Sequence, residues 1–150
     1  MSRPVIFILI GPNLNMLGVR EPDIYGHETL ADIEKMCRDE ADNNNMDVDF
    51  RQSNHEGDLI TWIQEARSKA KGLIINAAAY THTSIALSDA LKMLDGVVNV
   101  VEVHHSNPKE REPYRHHSYV EPHAFAHFSG YGARGYIMGL EALASRLGTK

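Results

Sequence analysis

The sequence contains one cysteine, Cys37, so no disulfide can form within the chain and core packing must hold the fold. A lone thiol suits a reducing cytoplasm. In a helical pattern with Ile33 and Met36, it is expected in or beside the core. Long apolar runs are also missing: the stretch from Val5 to Ile10 is far shorter than the roughly 20 residues of a membrane helix. It also lacks the flanks of a signal h-region. Basic residues are not in excess, with 15 Lys and Arg against 20 Asp and Glu and a net charge of -5. That balance argues against a nucleic-acid surface and leaves any anionic ligand to local arginines. No G-x-G-x-x-G follows the first apolar run and no Walker loop occurs, which weighs against dinucleotide or nucleoside triphosphate binding. There is no internal repeat and no low-complexity segment. A single domain spanning residues 1 to 150, without a membrane span, is expected.

Apolar spacing divides the chain into alternating units. Val5 to Ile10 reads as a strand covered on both faces. Leu30, Ile33, Cys37 and Ala41 recur at helical spacing behind Thr29, an N-cap residue, and Asn43 to Asn45 end the segment. Met46 to Gln52 alternates like a strand near a sheet edge. Ser53 and Glu56 have the spacing of a capping box before a helix carrying Leu59, Ile60, Ile63, Ala66 and Ala70, with Trp62 at its margin. Leu73 to Ile75 is a buried strand ending at Asn76. A helix from about Thr83 carries Ile85, Ala86, Ala90, Leu91 and Leu94, and a strand follows from Val97 to Val103. Phe125 to Ser129 is a polar strand for its place. Ser129 to Gly135, SGYGARG, reads as a strand-to-helix turn before a last helix closed by Gly148. Five strands alternating with helices imply an α/β fold, an open parallel sheet of flavodoxin-like order 2-1-3-4-5 with helices on both faces. Right-handed crossovers bring the loops after strands one, three and four to one edge, which makes Asn13, Asn76 and His104 neighbours.

The first of these loops is several times longer than the roughly 2 to 6 residues of an ordinary βα connection. From Gly11 to about residue 28 it alternates stiff positions, Gly11-Pro12, Gly18, Glu21-Pro22 and Gly26, with Asn13, Asn15, Arg20, Glu21 and Tyr25. It reads as a lid. Its motif, GPNLN-x-LG-x-REP-x-x-YG, resembles the opening of the type II 3-dehydroquinate dehydratases, small shikimate-pathway lyases. The resemblance continues through Asn76, Tyr80 to Ser84, Val101 to Asn107 and Arg111 to Tyr119, nearly the whole chain in order. It implies reversible dehydration of 3-dehydroquinate to 3-dehydroshikimate without metal or organic cofactor, in a homo-oligomer, a dodecamer built from trimers.

A tyrosine five positions after an arginine is compatible with a plain surface pair. A phenol of pKa about 10 serves as a base near neutrality only if a cation stabilises its anion. The resemblance makes Tyr25 the base that removes the C2 proton and Arg20 its partner. Proton removal beside a ketone leaves an enolate oxygen that needs a donor. The resemblance has Asn13 hold a water for it, although an Asx-turn cap would serve the same Pro-Asn corner. Glu102 and His104 lie two apart on a strand and share a face. Spacing alone fits a structural pair as well as a catalytic one, and the resemblance makes His104 the general acid. Ser106 and the backbone around His105 are then placed for the substrate carboxylate, and Asn76, His82 and Arg115 for ring hydroxyls. Arg111 is assigned to lid ordering, and Asp89 to a neighbouring subunit's site. His82, near a helix start, is expected to be neutral because the helix dipole disfavours imidazolium. Two departures stand out: His105 replaces a residue often aliphatic in the family, and Ala77 stands where many relatives have proline.

Two other readings compete. Nine histidines, with His104-His105 and His116-His117 adjacent, raise the possibility of a metal site, but adjacent residues on a strand point to opposite faces and no Cys/His spacing accompanies them. A non-enzymatic flavodoxin-like module binding a small anion would share the fold, since fold does not determine chemistry.

Overall fold

A computed structural model describes residues 2–19, 21, 23 and 27–149. Six apolar residues in succession, VIFILI, form β1 (Val5–Ile10). Both faces of such a strand have to be covered, and β1 accordingly lies inside the sheet, parallel to β2 (Asp47–Gln52) on one side and β3 (Gly72–Asn76) on the other. β4 (Asn99–His104) pairs with β3, and β5 (Ala126–Ser129) with β4, completing a five-stranded parallel sheet of order 2-1-3-4-5. The expected architecture is the observed one. α1 (Leu30–Asn43) and α4 (Arg134–Leu147) cover one face, packing Ile33, Cys37, Tyr136, Leu140 and Leu143 against Ile6, Ile8, Ile74 and Val101. α2 (Glu56–Lys69) and α3 (Ile85–Lys92) cover the other, with Leu59, Ile63, Leu87 and Leu91 against Phe7, Leu9, Leu73 and Ile75. Each such aliphatic side chain contributes about 1.5–3 kcal/mol when fully buried. Among the described residues, no helix is long and apolar enough to cross a membrane.

Local chemistry sets most boundaries. The Thr29 hydroxyl accepts from Asp32 N–H while the Asp32 carboxylate accepts from Thr29 N–H, a reciprocal cap for α1. Gly148, at φ 73°, closes α4 in the left-handed conformation. Cys37 is buried on α1, and desolvation pushes its thiol up to about 12, so it is an inert core group. Trp62 packs at the edge of the α2–α3 core with the Arg51 guanidinium 5.7 Å from its ring centre.

Four expectations are corrected. The Ser53–Glu56 capping box does not form: His55 is the N-cap residue of α2, and Ser53 instead accepts from His55 N–H and donates to Asp58. The Ser84 hydroxyl engages the Glu56 carboxylate. The apolar stripe of α3 is rotated, because Ile85 is 61% exposed and Ala86 is also exposed, while Leu87 points into the core. α3 starts two residues later than expected, after a 3-10 turn over Ala78–His82 that places Ser84 as its cap. β4 begins at Asn99 rather than Val97, whose side chain is 45% exposed in the preceding turn.

The carboxyl ends of β1, β3 and β4 meet at one edge. There Gly11 N–H donates to Asn76 C=O at 2.8 Å, and a Cβ on Gly11 would lie 2.7 Å from the Ala77 carbonyl oxygen. Only glycine lets these two loops approach so closely.

Candidate active site

β4 carries alternate side chains to opposite faces. Glu102 and His104 share the face covered by α2 and α3, and His104 Nε2 donates to Glu102 Oε2 at 2.6 Å. Both are buried. Ser118, from the loop after β4, donates to the same oxygen at 2.7 Å and accepts the N–H groups of Val120 and Glu121, which ties that loop to the strand. The other oxygen, Oε1, accepts from His127 Nδ1 at 2.8 Å. Burial by itself would raise the Glu102 carboxyl, but the bonds from His104, His127 and Ser118 outweigh it and hold the group at about 2, fully ionised. Sequence reasoning missed His127 and Ser118. The available signal was the polarity of β5, since a histidine in a strand that should be apolar needs a partner, and Glu102 lies directly opposite it in the register.

His105 points to the other face, where its Nε2 lies 2.9 Å from the Tyr136 hydroxyl of α4. The Asn76 amide donates to the same hydroxyl at 2.9 Å, and Asn76 Oδ1 accepts from Ala78 N–H at 3.1 Å. Asn76, Tyr136 and His105 thus form a buried chain that joins the ends of β3 and β4 to α4, and burial raises the phenol's pKa. The SGYGARG turn adds to this joint. Gly130 N–H donates to His104 C=O and Gly132 N–H to His105 C=O, with both glycines at positive φ.

Two adjoining cavities open at this edge. One, of about 170 Å³, is lined by Asn13, Asn76, His82, His104, Ser106, Arg111 and Arg115 among others, so the structure gathers these predicted residues and His105 around one volume. The other, of about 450 Å³, is walled by Glu102, His127, Ser118, Lys109 and Tyr131. His82, His104, Pro108 and Arg115 border both. Arg111 reaches the Ser106 hydroxyl at 3.3 Å, and the Arg115 guanidinium is held by Glu112 at 2.8 Å. The segment between β4 and β5 contains three short 3-10 turns, Pro108–Glu110, Pro113–Arg115 and Glu121–His123, which aim these side chains.

His82 is depressed below the ordinary imidazole range, as expected, but the main cause is burial rather than the helix dipole, and a 2.8 Å contact with the His117 carbonyl partly opposes it. Asn13 stands at φ 71° and its side chain makes no capping bond, so the Asx-turn reading does not hold. Its N–H is instead tied to the Asn54 side chain at 2.9 Å. Asp89 is exposed on α3 and borders neither cavity. Arg20 and Tyr25 lie outside the described residues. Glu102, Glu121 and His127 bring possible metal-ligand atoms within 4.8 Å of one another. The atoms of Glu102 and His127 are already engaged by each other and by His104, Ser118 and Ser129.

The model of class II dehydroquinases matches residues 4–144 of this chain. The chain belongs to the class II dehydroquinase family. Among curated relatives, a 3-dehydroquinate dehydratase of Streptomyces coelicolor is 54% identical over 148 residues, covering 99% of this chain and 94% of that protein. The crystal structure of the type II dehydroquinase from Propionibacterium acnes superposes with a TM-score of 0.91 at 39% identity, covering 96% of this chain and 98% of that one. The type II dehydroquinase from Butyrivibrio crossotus gives 0.90 at 42% identity, covering 94% and 97%.

Proposed function

We propose that this chain is a hydro-lyase that reversibly dehydrates 3-dehydroquinate to 3-dehydroshikimate through an enolate. The observation that carries the reading is the buried Glu102–His104 pair, whose His104 borders the cavity lined by Asn13, Ser106 and Arg115, in a chain of this family. Tyr25, as tyrosinate stabilised by Arg20, takes the C2 proton beside the ketone. The enolate oxygen receives a hydrogen bond from a water held by Asn13. His104, oriented by Glu102, protonates the leaving hydroxyl, which departs as water while the enolate electrons form the new double bond. Because Glu102 takes one imidazole N–H, the other nitrogen of His104 is the one that exchanges a proton with substrate. Ser106 and the backbone near His105 hold the substrate carboxylate, with Arg111 ordering Ser106 and the lid. Asn76, His82 and Arg115 face the ring hydroxyls. The segment from residue 11 to about 28 acts as the lid of a single catalytic domain spanning residues 1 to 150. The enzyme works in the cytoplasm as a dodecamer built from trimers, with Asp89 directed to a neighbouring subunit's site.

No lysine is assigned to the chemistry. Lys109 is exposed on the Pro108–Glu110 turn, although it borders the larger cavity, and direct proton abstraction needs no Schiff base. The test is an ultraviolet assay for the conjugated enone formed from 3-dehydroquinate, with borohydride trapping in parallel. Turnover with no trapped protein is expected. Tyr25→Phe should fold yet lose about 10³-fold or more in kcat, as removal of a positioned base does. Folded protein with no enone signal would favour the anion-binding module. A borohydride-modified lysine would replace the tyrosinate route with a covalent one.

A further inference from the structure

The mechanism above uses one oxygen of Glu102, and the structure gives the other to His127. That residue comes from β5, the edge strand, and sits in register opposite Glu102. Its Nδ1 is 2.8 Å from Glu102 Oε1 and its Nε2 is 2.5 Å from the Ser129 hydroxyl, so the imidazole is held at both nitrogens. Its ring centre lies 5.7 Å from that of His104, and its side chain is 35% exposed to the larger cavity. One carboxylate therefore serves two imidazoles, of which only His104 borders both cavities.

We propose that His127 is a positioning residue for the acid: it anchors the far oxygen of Glu102 so that the near one meets His104, and it divides the carboxylate's charge between the two rings. A buried carboxylate has rotational freedom unless both oxygens are held, and rotation would lengthen the 2.6 Å bond to His104. Ser118 holds the near oxygen. Among the hydrogen bonds described, only that from His127 holds the far one. Charge is the second part of the device. The bond to Glu102 raises His127 above the ordinary imidazole range despite its burial, with Glu121 adding to the shift and Lys109 opposing it. A protonated His127 then places a cation 5.7 Å from His104, which also faces the stacked His82 ring at 6.4 Å and Arg115 on the cavity wall. His127 thereby sets how far up the pH scale the acid stays charged.

This inference rests on the dehydratase reading, and the experiment separates the two. The kcat profile against pH is measured for the wild-type enzyme, His127→Asn and His127→Val. Asparagine keeps an N–H for Glu102 and loses the charge; valine suits a strand and loses both. His127→Asn should keep kcat within about twofold at its optimum, and His127→Val should lose about tenfold, the scale of a hydrogen bond to a charged group. In both, the alkaline limb of the profile should move up by about one pH unit, the effect of removing one cation at this distance in a partly screened site. Alkaline limbs that stay in place in both variants overturn the charge-sharing role. An asparagine variant as slow as the valine one overturns the positioning role and leaves His127 as packing. Wild-type protein without turnover rejects the dehydratase reading, and this inference with it.

Discussion

His104 and His105 are neighbours in the chain with different duties, because consecutive strand residues face opposite sides of the sheet. His104→Ala should lower kcat by about 10²–10⁴-fold, the range of a general acid, with little change in the denaturation midpoint. His105→Ala removes a partner from a buried phenol, so its main effect should be a stability loss of about 1–3 kcal/mol in chemical denaturation. Equal kcat losses in the two variants would contradict this division. Glu102 makes a prediction about pH. Its folded carboxyl titrates at about 2 against an ordinary 4.5. A depressed carboxyl contributes stability that is present above the unfolded value and lost as pH falls through the folded one. Wild-type stability should therefore decline from about pH 4.5 toward 2, and Glu102→Gln should flatten that decline while lowering stability at neutral pH. A slope unchanged in Glu102→Gln would assign acid sensitivity to other carboxylates.

At the scale of elements, the edge that holds the site is assembled by close approaches between loops. Gly11 admits the Ala77 carbonyl, the glycines of the β5–α4 turn donate to β4, and the 3-10 turn after β3 starts with Ala78 at φ 52°. That last conformation is costly for a residue with a Cβ and free for glycine. Ala78→Gly should thus stabilise the fold by about 0.5–1 kcal/mol, the net of relieved strain and a more flexible unfolded chain. A raised denaturation midpoint with unchanged kcat is the expected result, and a lowered midpoint would show that the Ala78 methyl, which packs against the α1–α4 core, matters more.

For the whole molecule, the prediction concerns assembly. Ile85 and Met93, 61% and 46% exposed, lie on α3 and at its end, and Val97 follows at 45%. Asp89 is exposed on the same helix. A run of apolar side chains around one acid is expensive to leave in water and suits contact with other copies of the chain. Sedimentation should find a large species built from trimers, and Ile85→Asp should shift it to smaller ones with loss of activity. A dilute monomer with full activity would remove the neighbouring subunit from the mechanism.

The order of strands was legible in the sequence because each strand and helix carries its own periodicity, and right-handed crossovers leave few ways to join them. The neighbourhood of Asn13, Asn76 and His104 followed from that topology, and the Glu102–His104 pair from a two-residue spacing on a strand. The boundaries of α2, α3 and β4 did not follow. Ser53 and Ile85 fit local patterns, but Glu56 is engaged by Ser84 across the fold rather than by a Ser53 cap, and Leu87 fills the core in place of Ile85. Asn76 likewise turned out to be engaged by Tyr136, 60 positions away in the chain. His127 was visible only as an ill-fitting polar residue, because the carboxylate that pairs with it is not in its own segment. Its partner lies on β4, and only the register of the folded sheet sets the two opposite each other. Periodicity is a local property that a chain carries in its sequence, whereas the pairing of buried polar groups is decided by which strands meet.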